Sequence, residues 1–283
     1  MIVVTGASGQ LGRLVIEALL KTLPAGEIVA AVRHPEKVAD LAARGVQVRL
    51  ANYDEPASLL SAFKGADKLL LISGSEVGRR VPQHRAVINA AKAAGVGLLA
   101  YTSILHADTS PLPLAVEHRE TEILIRASGL PAVILRNGWY TENYTAGIPA
   151  ALQHGVLLGC AGQGRIASAA RADYAEAAAV VLTRDDQTGR IYELAGDASY
   201  TLGDLAREIA RQSGKAVAYQ DLPESEFKAA LRGAGLPDFL VALLAESDVG
   251  ASKGGLFDEG RQLSALIGRP TTPVTELVRL ALA

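Results

Sequence analysis

The chain has 283 residues, is 49% hydrophobic and carries 28 Lys and Arg against 30 Asp and Glu, a net charge of −2. That is enough apolar side chain for a sizeable core, and the near-balanced charge with no basic patch argues against nucleic acid as a partner. The lone Cys160 excludes an intramolecular disulfide and fits a reducing compartment. No apolar run is long enough to span a bilayer and no basic-then-apolar leader precedes the first strand, so a cytoplasmic protein is expected.

The first apolar run, Ile2-Val3-Val4, predicts a strand. A glycine-rich turn follows, and then a helix whose Leu11, Leu14, Val15, Ala18 and Leu19 share one face until Pro24 and Gly26. Residues 28–32 are apolar throughout, as a doubly covered parallel strand should be. The pattern continues with a helix over 35–44, a strand over 46–51, a helix over 56–63 and a strand over 68–72. A long alanine-rich helix over 82–94 leads to a strand over 97–102. After a loop with Pro111 and Pro113 come a helix over 114–127 and a strand over 132–135. This alternation predicts an α/β fold, a Rossmann-type doubly wound parallel sheet. The second half reads as a helix over 172–182 with Asp173 in its first turn, a strand over 191–194 and a helix over 202–212 capped by Thr201. A short strand over 217–219 and mostly helical structure follow. The glycine-rich stretch 248–255 lacks Walker spacing and reads equally as a mobile lid or a connector.

The turn itself, Thr5-Gly6-Ala7-Ser8-Gly9-Gln10-Leu11-Gly12, carries the strongest chemical signal. A strand feeding three glycines and a helix start is the arrangement that holds a dinucleotide pyrophosphate. Gly6 permits the tight turn, Gly9 lets the backbone approach the phosphates, and Gly12 lets helix and strand pack closely. The second strand ends Ala31-Val32-Arg33-His34, with no acid at its tip. An acid there receives the ribose hydroxyls of NAD, whereas Arg33 offers a fork to the extra phosphate of NADP, so NADPH is the expected cofactor. Residues 1–145 are expected to form the NADP-binding domain. Residues 146–283 are expected to form a smaller, mostly helical α/β domain on the substrate side, with some strands returning to the first.

Ligands of open α/β sheets bind beyond the carboxyl ends of the strands, which nominates Ile72 and Ser73, Thr102, and Asn137 and Gly138 for the cofactor, with Asn52-Tyr53-Asp54 near the adenine. The segment Arg136-Asn137-Gly138-Trp139-Tyr140-Thr141-Glu142-Asn143-Tyr144 gathers the only Trp with two Tyr and two Asn. Aromatic faces and amide donors suit a flat conjugated ligand with carbonyl oxygens, while a packed loop suits the same composition. Asn143 and Tyr140 are assigned to the ligand and Trp139 to packing. None of the eight Tyr has a Lys four residues later, which disfavours reactions that need a Tyr/Lys proton shuttle. No His spacing suits a metal, no Gly-x-Ser-x-Gly elbow is present, and Cys160 lacks a histidine partner.

The glycine turn, Arg33 and the 136–140 segment resemble the NmrA-like branch of atypical short-chain dehydrogenases. Stretches 73–96, 101–111 and 247–257 resemble its bacterial type-2 NADPH:quinone oxidoreductases. The resemblance spans essentially the whole chain, with triphenylmethane-dye reductases as functional cousins. It implies NADPH held by Gly6, Ala7, Ser8, Gly9, Gln10, Leu11 and Arg33, a quinone facing Asn143, and neither flavin nor metal. The expected reaction is direct hydride transfer to a quinone, with the Asn143 amide and the Tyr140 hydroxyl supporting the oxygen that gains charge. A redox sensor that binds NADP(H) without turnover, and a reductase of another conjugated substrate such as a dye, remain as alternatives.

Overall fold

A computed structural model describes residues 1–283. Strands β1 (Ile2–Thr5) and β2 (Ile28–Val32) are buried along their whole length, as strands covered on both faces must be. They pair in parallel with Ile2 opposite Ile28, and β2 pairs likewise with β3 (Gln47–Leu50). On the other side of β1 lie β4 (Lys68–Leu71), β5 (Leu98–Ile104) and β6 (Ala132–Asn137), all parallel. Strands β7 (Val156–Gly159), β8 (Ile191–Leu194) and β9 (Ala218–Asp221) come later. β8 extends the main sheet to the order β3-β2-β1-β4-β5-β6-β8, and β7 pairs with β9 in a separate parallel ribbon. The order reverses between β1 and β4, which is where a doubly wound sheet opens a crevice beyond its carboxyl ends.

Two compact units are present. The first comprises Met1–Ala107, Val116–Asn137 and Arg171–Tyr192; the second comprises Asp108–Ala115, Gly138–Ala170 and Glu193–Ala283. In the first, Phe63, Leu69, Leu71, Val87, Leu99, Tyr101 and Ile134 form one apolar cluster. Helix Arg171–Thr183 packs closely on helix Gln10–Leu19, and its buried Ala175, Ala177, Ala178 and Ala179 explain why it is alanine-rich. In the second, the Thr201 hydroxyl accepts from the Asp204 amide while the Asp204 carboxylate accepts from the Thr201 amide, a capping box on helix Leu202–Ser213.

Three local expectations change. The helix expected over 35–44 is a 3₁₀ turn, Pro35–Val38, and a short helix, Ala39–Ala43. The break falls at Val38, which is fully buried while its φ/ψ of −128°/27° leave the helical region. β6 continues to Asn137, so Arg136 lies in a buried strand rather than a loop; Glu122 neutralises it there. Residues 248–252 of the 248–255 stretch are the end of a helix, and only 253–255 form a turn after it. Gly250 lies inside helix Asp238–Ser252, and a Cβ on it would sit 2.7 Å from Leu112 Cγ, so it is a close-packing position.

Candidate functional site

The turn after β1 takes the expected shape. Gly6 adopts φ +61°, a region that costs other residues, and its carbonyl accepts from the Gly9 amide at 2.9 Å. Helix Gln10–Leu19 then starts from an extended Gly9 with no side-chain cap and no acid in its first turn. Its positive end is left for an anionic ligand. Gly12 is sterically fixed, because a Cβ there would lie 2.5 Å from the Gly6 carbonyl oxygen and 2.7 Å from Ala7 Cα.

Side chains tie the strand ends around this turn. The Thr5 hydroxyl donates to the Leu70 carbonyl at 3.0 Å and accepts from the Ile72 amide at 3.1 Å. The Tyr53 hydroxyl lies 2.5 Å from Thr5 Oγ1 and 3.0 Å from the Ile72 carbonyl, and burial raises its pKa above the usual phenol value. The Ser73 amide donates to Thr102 Oγ1 at 2.9 Å, and the Gly74 amide donates to His84 Nε2 at 2.9 Å. Since His84 Nε2 accepts, its Nδ1 carries the proton and donates to the Thr121 hydroxyl, 2.9 Å away, which itself donates to the Glu117 carbonyl. Burial, and then the nearby Arg80, push the pKa of His84 down to about 3 and that of His118 well below the ordinary value, so both are neutral.

These elements enclose a cavity of about 260 Å³ lined by Gly6, Ser8, Gly9, Gln10 and Leu11, by Arg33 from the end of β2, and by Ile72 and Ser73 after β4. Of the other expected cofactor residues, Ala7 is fully buried beneath Gly12, and the Thr102 hydroxyl fixes Ser73 from behind the wall. Asn137 is buried with its Oδ1 lacking a partner, and the Gly138 amide donates to the Leu194 carbonyl at 2.7 Å. Asn52 and Tyr53 line the cavity as expected, but Glu76 and Gln83 were not foreseen. Glu76 Oε1 receives the half-exposed Arg33 guanidinium at 2.8 Å, and Glu76 Oε2 receives Arg79 at 3.1 Å. No motif marks Glu76; only the fold brings it to β2.

In the second unit, Tyr140 is half-buried and forms a parallel bridge with Ala169, while Trp139 is buried, as its packing role requires. The Asn143 backbone N–H donates to the Tyr140 carbonyl at 3.0 Å, and Asn143 lines a cavity of about 500 Å³ with Tyr144 and Asp248. The Asp248 carboxylate accepts from the Cys160 amide at 2.9 Å, and burial raises its pKa to about 6. Burial and that acid push the Cys160 thiol up to about 12, which leaves it protonated and unreactive.

The site fits a dinucleotide cofactor on its own terms: a glycine cradle that admits no Cβ at Gly12, an uncapped helix start, and an arginine on the rim. A family model described as NAD(P)H-binding matches residues 6–185. The chain belongs to this NAD(P)H-binding family. Within it, the chain is 62% identical over 278 residues to quinone oxidoreductase 2 of Escherichia coli strain K12, covering 98% of this chain and 97% of that protein. The crystal structure of the NADPH-dependent quinone oxidoreductase QOR2 from Escherichia coli in complex with NADPH superposes with a TM-score of 0.98 at 60% identity, each chain covered in full. Triphenylmethane reductase of Citrobacter sp., complexed with NADP(H), gives 0.97 at 40% identity, again over both full chains. The fold is thus that of NAD(P)H-dependent oxidoreductases, the expected class. No helix is long and apolar enough to cross a membrane.

Proposed function

We propose that this chain is an NADPH-dependent quinone reductase that holds its cofactor in the cavity beyond β1 and β4. The bound cofactor supplies a hydride from its nicotinamide ring. The protein's residues bind, orient and screen. The Gly6–Leu11 backbone and the helix start meet the pyrophosphate, and Arg33 meets the extra phosphate. Arg33 must leave or share Glu76 to do so. Ile72 and Ser73 form the wall, Thr102 fixes Ser73, and the Gly138 amide ties the end of β6 to the Leu194 carbonyl. The Asn137 Oδ1 accepts from an amide N–H of the ligand.

Negative charge develops on the quinone oxygen as it is reduced. Hydroquinones have phenolic pKa values near ~10, so neutral donors suffice to stabilise that oxygen. The Asn143 amide and the Tyr140 hydroxyl take this role, and water completes protonation. A Tyr/Lys shuttle is unnecessary, which agrees with its absence from the chain.

One observation carries this assignment: the glycine turn and Arg33 border a single cavity at the switch point of the sheet. The test mixes protein, NADPH and a simple quinone and follows loss of the reduced cofactor's near-ultraviolet absorbance. Protein-dependent oxidation is expected, and Asn143→Ala should slow it while leaving the NADPH Kd unchanged. NADPH binding without turnover on any of several quinones would instead identify a sensor.

A further inference from the structure

The wall of the cavity beyond β4 runs from Ile72 through Ser73, Gly74 and Ser75 to Glu76. It belongs to no helix or strand, yet its first three amides are all taken by side chains. The Ile72 amide donates to Thr5 Oγ1 at 3.1 Å, the Ser73 amide to Thr102 Oγ1 at 2.9 Å and the Gly74 amide to His84 Nε2 at 2.9 Å. The Gly74 carbonyl accepts from Arg80 Nε. Both backbone groups of Gly74 are therefore held by helix Arg80–Ala93, through two side chains one turn apart. The loop runs so close to this helix that a Cβ on Gly74 would lie 3.1 Å from Gln83 Oε1.

Such an anchorage opposes stability. Arg80 and His84 are both buried, and Arg80 Nη1 has no hydrogen-bond partner. Glu117, whose charge acts on Arg80, accepts from the Gly78 amide with Oε1 and leaves Oε2 without a partner. Apolar side chains would fill the same space without orphaned polar atoms. A buried cation and a buried imidazole that both grip one loop residue are explained by the site which that residue lines. Proton transfer does not explain His84, because it does not line the cavity and both its ring nitrogens are engaged.

We infer that His84 is a positioning residue for the cofactor: its Nε2 lone pair binds the Gly74 amide and sets the wall against which NADPH lies. Thr121 is its accessory. The Thr121 hydroxyl hydrogen goes to the Glu117 carbonyl, so its oxygen accepts from Nδ1 and fixes the tautomer that leaves Nε2 free to accept. The wall also receives the Tyr53 hydroxyl at the Ile72 carbonyl and ends at Glu76, the partner of Arg33. It therefore serves the phosphate-bearing adenosine half of the cofactor, and its displacement acts on affinity and not on the hydride step. The inference rests on the cavity assigned to NADPH and is independent of the quinone.

Nitrogen NMR of the unmodified protein at neutral pH should show His84 with its proton on Nδ1; a proton on Nε2 overturns the inference. His84→Leu, shown to be folded by circular dichroism, should raise the Kd of NADPH and of adenosine 2′,5′-bisphosphate alike. The rise should be roughly tenfold, the scale of one hydrogen bond lost from a binding loop, with kcat at saturating NADPH close to that of the parent. His84→Gln, which returns an acceptor to Gly74, should recover most of the affinity. Should His84→Leu not fold, Thr121→Val carries the same test, because it frees the tautomer without touching the loop. An unchanged Kd in either folded variant, a glutamine variant as weak as the leucine one, or a lowered kcat at unchanged Kd overturns the role of His84 while NADPH binding by the parent stands. A parent that binds no NADPH removes the cavity assignment as well.

Discussion

Arg33 and Glu76 pose the sharpest question at the level of single residues. The pair is half-exposed, so its ion pair contributes little to stability. It matters because both groups line the cavity proposed for the cofactor, so a phosphate arriving at Arg33 would meet the Glu76 carboxylate. Two substitutions should therefore act in opposite directions. Arg33→Ala removes a charge-assisted contact worth about 1.5–3 kcal/mol, which weakens NADPH by roughly tenfold to a hundredfold and NADH hardly at all. Glu76→Gln removes the competitor and tightens NADPH. Calorimetric titration of both cofactors decides; equal losses for NADPH and NADH in Arg33→Ala would show that the guanidinium does not read the phosphate. Gly12 offers a different kind of check. Its absent Cβ is excluded by backbone atoms of Gly6 and Ala7, which cannot move aside as a flexible side chain can. Gly12→Ala should abolish NADPH binding and lower the unfolding midpoint. Retained affinity would mean the turn yields more than this packing permits.

Strands and helices show where a sequence speaks and where it falls silent. The doubly covered strands β1, β2 and β4 were legible because burial on both faces makes them apolar runs, and the glycine turn was legible because its signals are contiguous. The end of β6 was not. A charged Arg136 reads as a strand end, since its partner lies 14 residues earlier on helix Ala115–Ser128. Arg136 donates to Glu122 from Nε at 3.0 Å and from Nη2 at 2.7 Å, the Ser103 hydroxyl adds a 2.6 Å bond, and Glu122 is wholly buried. Glu76 escaped notice for the same reason, 43 residues from Arg33. The one-turn helix Glu142–Thr145 has four residues, too few for a helical period to emerge. The β6 pair yields a prediction of its own. Removing one member leaves a buried charge uncompensated, so Glu122→Gln should cost about 3–5 kcal/mol in urea unfolding. Glu122→Leu combined with Arg136→Met should recover much of that loss. A single variant as stable as the parent would show that water reaches the pair.

The pH response of the whole molecule follows from which buried groups refuse or retain protons. His84 and His118 stay neutral in the folded chain, held well below the ordinary value of 6.5 by burial and by Arg80. Between about pH 6.5 and their folded values the unfolded chain binds protons that the folded chain does not. Stability from these two groups is therefore fully present above pH 6.5 and is lost as pH falls, by up to about 1.4 kcal/mol per pH unit for each. Asp248 acts in the opposite sense. Its raised pKa of about 6 means that, below that pH, the folded state takes up a proton before the unfolded one, which offsets one histidine. Exposed carboxylates are ionised in both states above about pH 5 and drop out of the balance. The apparent unfolding midpoint should thus fall on acidification, with a slope that builds below about pH 7 and, because Asp248 cancels about one of the two histidines, levels off at about the slope of a single group between about pH 6 and 5. His84→Gln keeps an acceptor available to the Gly74 amide but cannot titrate, so the variant should lose less of its midpoint over this range than the parent. Identical slopes for the two proteins would mean that His84 accepts a proton in the folded state and that the bond holding the loop beyond β4 can open without unfolding the chain.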